Sequence, residues 1–313
     1  MEKELRWLTA FVCDEGLFEF KRMPFGLKSA SITFTRRMKE LTRPIKDFTE
    51  TYIDDIAVFS ASWEDHLRHL RIFLTTIQEA GLTLNLEKCT FARGSVKFLG
   101  HVIGEGRIGI DPQKLHALEK IRPPSTKKEV RRLIGFFNYF QQFLPQLADT
   151  LYSITELTKK SAPRQVNWTD KHQEGLDRAT RQLKEASSLY TIDYQRQFGL
   201  MVDASDHAVG CCLLQWDDQL RENPIAFASK KLTEPQTRWA TIEREAYAVI
   251  WALNKFRSVI CLSKIKVFTD HNPLTTPKSA KLTRWALVLQ EYELEFVYRP
   301  GRLNGVADFL SRM

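Results

Sequence analysis

Cysteine is scarce. The 313 residues hold five (Cys13, Cys89, Cys211, Cys212 and Cys261), an odd number with neither a CxxC pair nor zinc-ligand spacing. That pattern excludes a disulfide-stapled secreted scaffold and a cysteine-built zinc site, and the five read as reduced, buried thiols of an intracellular protein. Long apolar runs are missing too. None reaches the roughly 18 residues of a membrane-spanning helix, and no secretory leader opens the chain. Acidic residues are in deficit, 38 Asp and Glu against 46 Lys and Arg, for a net charge of +8. A basic balance favours a polyanionic partner. The excess is uneven, since Lys114 to Arg132 contain seven Lys/Arg and two Glu. Hydrophobic residues make up 43%, enough to bury cores, and the length points to two or three domains.

What is present is organised around Thr51-Tyr52-Ile53-Asp54-Asp55-Ile56-Ala57-Val58-Phe59. Apolar and β-branched flanks read as strands, and Asp54-Asp55 as the two-residue turn of a hairpin, because Asp tolerates left-handed backbone. Adjacent carboxylates at a hairpin tip repel unless a cation sits between them, and Mg²⁺ takes carboxylate and phosphate oxygens together. A bare Asp-Asp pair is more often a solvated turn, so the neighbouring segments decide. Phe11-Val12-Cys13 and Leu17-Phe18-Glu19-Phe20 flank the turn Asp14-Glu15-Gly16 as another hairpin. Met23-Pro24-Phe25-Gly26-Leu27 leads into a helix through Met38, with Gly26 leaving the backbone bare. Ser62, with Asp65 three residues on, starts a helix whose Leu67, Leu70, Leu74 and Ile77 share a face and which Gly81 ends. His66 and His69 on this helix read as surface or satisfied residues. Leu82 to Leu86 alternates as a strand before Glu87-Lys88.

From Asp111 to Phe143 the period turns helical. Leu115, Leu118 and Ile121 form a short stripe stopped by Pro123-Pro124, and Thr126 with Glu129 caps a helix carrying Leu133, Phe136, Phe137, Phe140 and Phe143. Lys159 to Arg164 reads as a linker, and Val166 to Asp170 starts a helix reaching about Ala186. Strands follow at Phe198 to Val202, Gly210 to Trp216, Pro224 to Leu232, Ile265 to Thr269 and Leu294 to Tyr298. A long helix carrying Trp239, Ile242, Ala246, Val249, Ile250 and Leu253 interrupts them. The pattern is a mixed α/β sheet with acids, Asp203 and Asp270, at two strand ends, where α/β folds place their chemistry. The helix offers Glu243 and Glu245, on opposite sides of its apolar stripe, and periodicity does not choose between them.

Tyr52-Ile53-Asp54-Asp55 between apolar strands resembles the signature of reverse transcriptases, and Pro24-Phe25-Gly26-Leu27 resembles that of gypsy-type LTR retrotransposons. The resemblance implies that Asp54 and Asp55 are catalytic metal ligands. It sets Phe25, Gly26 and Tyr52 against incoming nucleotide and template, and makes Lys88 the lysine that can protonate pyrophosphate. Val96 to Ile103 resembles the primer-grip hairpin, with Phe98, Leu99 and Gly100. Val202-Asp203-Ala204-Ser205, Glu245 to Val249, Phe268-Thr269-Asp270 and Val306-Ala307-Asp308 match the four acidic positions of ribonuclease H, and here the resemblance selects Glu245 over Glu243. Four such carboxylates, Asp203, Glu245, Asp270 and Asp308, around two metals would activate water and stabilise the leaving 3′ oxygen. Where many relatives carry a histidine that helps product release, this chain has Tyr298.

The fold implied is a multidomain α/β and α+β chain. It comprises a partial palm of antiparallel sheet with helices (1–110), a helical thumb (111–160), a tether (161–195) and a ribonuclease H-like mixed α/β sheet (196–313), the last expected to fold on its own. Mg²⁺ is the expected cofactor, two ions per site, with Mn²⁺ able to substitute. Expected partners are RNA–DNA hybrid, RNA template and DNA primer, dNTPs in a longer parent, and no membrane. The expected setting is the cytoplasm or a virus-like particle, with a nuclear phase. Relatives place fingers and a first palm aspartate before the residues matching Thr9-Ala10-Phe11. The chain is therefore expected to be N-terminally truncated, with its polymerase inactive as it stands. The alternatives are a ribonuclease H alone or an inert nucleic-acid-binding remnant.

Overall fold

The computed structural model describes residues 2–118, 121–186, 188–269 and 280–299. They divide into two compact units, Met1–Arg93 and Gly94–Met313.

In the first unit, β1 (Phe11–Cys13) and β2 (Gly16–Phe18) pair antiparallel around the turn Asp14-Glu15, the hairpin expected. Helix α1 (Ala30–Thr42) is followed by β3 (Thr49–Tyr52) and β4 (Asp55–Val58), also antiparallel. Helix α2 (Trp63–Glu79) begins where Ser62 Oγ accepts the Asp65 N–H at 3.1 Å. Its buried residues are Phe73 and Ile77, whereas Leu67 and Leu74 are exposed, so the inward stripe lies one residue round from the expected one. Met38, Ile45, Phe73 and Ile77 form the core, with Phe48, Ile56 and Val58 against it. His69 stacks on Phe48 with centroids 3.9 Å apart, and its Nδ1 lies 2.7 Å from Ser60 Oγ, a satisfied histidine as expected. The strand expected at Leu82–Leu86 does not form. Alternation makes a strand only where a neighbour offers a ladder, and here Asn85 Oδ1 accepts the Glu87 N–H and starts a 3-10 turn instead.

The second unit opens with a four-stranded antiparallel sheet, β5 (Ser95–Phe98), β6 (His101–Gly104), β7 (Arg107–Ile110) and the distant β8 (Leu189–Tyr190). Between β7 and β8 run α3 (Pro112–Leu118), α4 (Lys127–Tyr139), α5 (Leu147–Thr150), α6 (Tyr152–Glu156) and α7 (Asp170–Glu185). The α4 capping box forms as expected: Thr126 Oγ1 accepts the Glu129 N–H at 3.3 Å and Glu129 Oε2 accepts the Thr126 N–H at 3.2 Å. The Ser125 N–H and hydroxyl, and then the Thr126 N–H, donate to the Glu129 carboxyl and hold it below its ordinary range.

A five-stranded sheet follows in the order β11-β10-β9-β12-β13, built from β9 (Phe198–Ala204), β10 (Ala208–Trp216), β11 (Glu222–Lys231), β12 (Lys264–Thr269) and β13 (Glu293–Tyr298). The first three are antiparallel, and β9, β12 and β13 run parallel. Helix α8 (Glu234–Thr237) and the long α9 (Thr241–Ile260) connect β11 to β12, and α10 (Ala280–Leu289) precedes β13. Strand alternation sends Phe198, Leu200 and Val202 of β9 toward α9, where Ala246, Val249 and Leu253 meet them.

The opposite face is covered as well. Met201, Cys212, Leu214, Phe227 and Phe268 pack with Phe137, Phe140, Phe143, Leu144, Leu147, Leu176 and Leu183 in one core. Such double-sided burial explains why β9 and β10 read as near-continuous apolar runs. Within the stretch 161–195, Leu176, Ala179 and Leu183 of α7 are buried in that core. The sheet from 196 onward keeps one core of its own, on the α9 side, and shares the other with earlier segments. Of the cysteines, Cys211 and Cys212 are buried and burial raises both thiol pKa values, but Cys13 and Cys261 are exposed, against expectation. Among the described residues no helix is long and apolar enough to cross a membrane.

Candidate active sites

The first unit carries the aspartate hairpin. Tyr52 faces Asp55 across the ladder, so the two-residue turn is Ile53-Asp54 and not Asp54-Asp55. Ile53 has φ +54° and Asp54 is not among the positive-φ residues. Positive φ at the first central position alone is the mark of a type II′ turn, normally glycine there. A β-branched residue so placed is strained, a condition that clusters at functional sites. Register thus starts β4 with Asp55 and leaves Asp54 in the turn, both carboxylates exposed to solvent. Two adjacent, accessible carboxylates are a hard-oxygen donor pair that suits Mg²⁺.

Phe25 is fully exposed beside Gly26, whose φ of +93° suits glycine. Lys88 ends the 3-10 turn Leu86–Lys88 and is exposed. A cleft of about 550 Å³ lies along α1, lined by Ile32, Arg36, Lys39, Arg43 and Ile53 of the turn. Its basic members recur at helical spacing, a signal that the richer Lys114 to Arg132 stretch obscures.

Phe98, Leu99 and Gly100 belong to the second unit, at the tip of the β5–β6 hairpin, where Phe98 pairs with His101. Leu99 and Gly100 both have positive φ, +49° and +76°, as a type I′ turn requires. The Tyr139 hydroxyl of α4 donates to the Leu99 carbonyl. A Cβ on Gly100 would lie 2.8 Å from that hydroxyl oxygen, so both conformation and space demand glycine there.

The five-stranded sheet holds the other site. Asp203 stands near the C-terminal end of β9, the central strand, and is half-buried. Helix α9 packs on β9 and buries Glu245 to 4% exposure, a depth rare for an acid without a role or partners. Glu243, the other acid of that helix, instead pairs with Lys281 of α10 at 3.4 Å. Phe268 pairs with Met201, so β12 and β9 deliver their C-terminal ends together. Asp270 and Asp308 lie outside the described residues, and Tyr298 is exposed beside Thr269 in the ladder. Among the described residues no three metal-ligating side chains converge. Asp203 and Glu245 supply two hard carboxylates on packed neighbouring elements, the donor chemistry Mg²⁺ takes. One interaction is invisible to local sequence rules: Gln146 Nε2 donates to Asp203 Oδ2 at 2.9 Å, across 57 residues of chain.

Residues 1–103 match the family model for reverse transcriptase (RNA-dependent DNA polymerase). Residues 193–292 match that for the RNase H-like domain found in reverse transcriptase. The chain carries a reverse transcriptase domain and an RNase H-like domain. It is 36% identical over 321 residues to the retrovirus-related Pol polyprotein from transposon opus of Drosophila melanogaster, covering 97% of this chain and 32% of that one. To the Pol polyprotein from transposon gypsy of the same organism it is 32% identical, covering 97% and 30%. To the transposon Tf2-3 polyprotein of Schizosaccharomyces pombe it is 30% identical, covering 97% and 23%. The chain thus spans about a third or less of the length of those relatives. Among solved structures, the foamy viral protease-reverse transcriptase in complex with RNA/DNA hybrid matches with TM-score 0.79 at 23% identity, covering 96% of this chain and 42% of that chain. The same enzyme in complex with dsDNA matches with TM-score 0.82 at 24% identity, covering 96% and 64%. Both support the multidomain fold.

Proposed function

We propose that this chain serves a retrotransposon polyprotein in two reactions, RNA-directed DNA synthesis and cleavage of the RNA strand of RNA–DNA hybrids. In this reading 1–110 is palm, 111–160 thumb, 161–195 the connection and 196–313 the nuclease. Asp54 and Asp55 would hold metal for polymerisation, with Tyr52, Phe25 and Gly26 near template and dNTP, Phe98 to Gly100 at the primer and Lys88 toward pyrophosphate. Asp203 and Glu245, with Asp270 and Asp308, would hold Mg²⁺, or Mn²⁺ in its place, in the nuclease. When bound, the paired ions would activate water and stabilise the leaving oxygen. The chain's own residues orient the hybrid through shape and 2′-hydroxyl contacts, giving broad sequence tolerance. The observation that carries the nuclease reading is the burial of Glu245 by α9 against the strand that bears Asp203. Incubating the full chain with RNA-labelled hybrid in Mg²⁺ is expected to yield 3′-hydroxyl fragments, and Asp203→Asn to remove that cleavage. A folded wild-type chain inert in both Mg²⁺ and Mn²⁺, or cleavage surviving Asp203→Asn, would sink the reading.

Duplex binding should come partly from α4. Lys128, Arg131 and Arg132 are exposed on it, whereas Lys127 donates to the Lys159 carbonyl at 2.6 Å and is engaged within the protein. Replacing Lys128, Arg131 and Arg132 by Gln is expected to reduce the slope of log K against log salt by about 0.9 for each phosphate of B-form DNA no longer neutralised. Lys127→Gln is expected to leave that slope unchanged. Equal slopes for the triple variant and the wild type would make this helix face merely solvated.

A further inference from the structure

We propose that Gln146, contributed by the segment before the nuclease sheet, is a positioning residue that fixes the Asp203 carboxylate for its metal. The inference rests on Asp203 being a metal ligand, as read above.

Gln146 lies directly before α5 in the left-handed region, φ 49° and ψ 30°. For a residue with a Cβ that conformation is unfavourable and persists only where the surroundings impose it. Here they do. Phe143, Leu144, Pro145 and Leu147 on either side are buried, and three hydrogen bonds pin the same segment to the sheet. Gln141 Nε2 donates to the Ser229 carbonyl at 2.7 Å, the Ala148 N–H to Ser229 Oγ at 2.9 Å, and Ser205 Oγ to Asp149 Oδ1 at 3.0 Å.

The outcome of that strain is specific. Gly210 is the ladder partner of Asp203 on β10, and a Cβ there would lie 3.7 Å from Gln146 Cγ. The glutamine stem therefore crosses the sheet over a bare glycine, and its amide reaches Asp203 Oδ2. A carboxylate has about four lone-pair sites. The glutamine N–H occupies a single one of them while selecting the rotamer. Groups that orient a metal ligand in this way change affinity about 10–100-fold when removed.

The test titrates Mn²⁺ into the full chain and reads free Mn²⁺ by electron paramagnetic resonance. Asp54→Asn and Asp55→Asn are present throughout, so that the hairpin turn contributes no binding. In this background Asp203→Asn is expected to abolish the remaining site. Gln146→Leu is expected to weaken it about tenfold, with a thermal midpoint no lower than that of Gln141→Leu. Gln141→Leu breaks a neighbouring anchor without touching Asp203 and is expected to keep wild-type affinity. Unchanged Mn²⁺ affinity in Gln146→Leu overturns the proposal while leaving the site reading intact, and so does equal weakening by Gln141→Leu, which would make the segment structural only. Failure of Asp203→Asn to remove any binding overturns the site reading itself, and the positioning role with it.

Discussion

A polypeptide of residues 94–313 is expected to unfold in one cooperative transition, and one of residues 196–313 is expected not to fold stably. The shorter piece retains every strand of the five-stranded sheet and all four acids proposed for the nuclease, which is why its sequence reads as self-sufficient. Its sheet, however, has two buried faces. Removing residues before 196 strips the cover from Met201, Cys212, Leu214, Phe227 and Phe268, which pack against helices α4 and α7 and the segment between them. At about 1.5–3 kcal/mol for each large apolar side chain, the loss is on the order of 10 kcal/mol. That equals the whole stability of an ordinary domain, about 5–15 kcal/mol. The short piece also loses Gln146 and the anchors at Ser205 and Ser229. Circular dichroism melting with ANS fluorescence on both polypeptides decides the matter. A sharp transition without dye binding in 196–313 would show that the second face tolerates water.

Glu245→Gln is expected to lower hybrid cleavage by more than about a hundredfold, and Glu243→Gln to leave it within about threefold. Loss of a few kcal/mol of metal-based stabilisation gives the first figure. The two glutamates sit two residues apart on α9 and differ in surroundings. Glu245 is 4% exposed on the helix that packs on β9, the strand of Asp203. Glu243 reaches Lys281, whose ammonium lies 3.1 Å from the ring centroid of Trp239. Breaking a part-exposed ion pair of that kind costs up to about 1 kcal/mol of stability and touches no reacting atom. Cleavage rates measured beside thermal midpoints separate the two effects. Cleavage lost in Glu243→Gln but kept in Glu245→Gln would transfer the ligand to the other acid.

Much of the molecule is legible in the chain. The five strands of the RNase H-like sheet, α9 and the α4 capping box follow from local rules, because period and cap chemistry act over a few residues, and the hairpin at Leu99-Gly100 follows from the resemblance. The order of acids, Asp203, Glu245, Asp270 and Asp308, is a property of sequence alone, and so is the Tyr52-Ile53-Asp54-Asp55 stretch. Local rules fail where a partner from elsewhere decides. Leu82 to Leu86 alternates correctly, but among the described residues no strand pairs with it and Asn85 makes a cap instead. The aspartate turn lies one residue earlier than its composition suggests because the Tyr52–Asp55 pairing sets the register, and a strained Ile53 is the consequence. The inward face of α2 departs from its leucine stripe for the same kind of reason. Leu67 and Leu74 have the right character but are exposed, and Phe73 joins the expected Ile77 in meeting α1 and the hairpin.

By itself, then, the sequence determined most of the elements, which acids the chain brings and in what order, and the basic character that suits a polyanion. The tertiary structure alone decided which glutamate is buried against the Asp203 strand, that the nuclease sheet shares its second face with the segment before it, and that Gln146 reaches Asp203. The physical reason is distance along the chain. Periodicity reports that a face is apolar, but what covers the face is set by residues tens of positions apart, which no local pattern encodes.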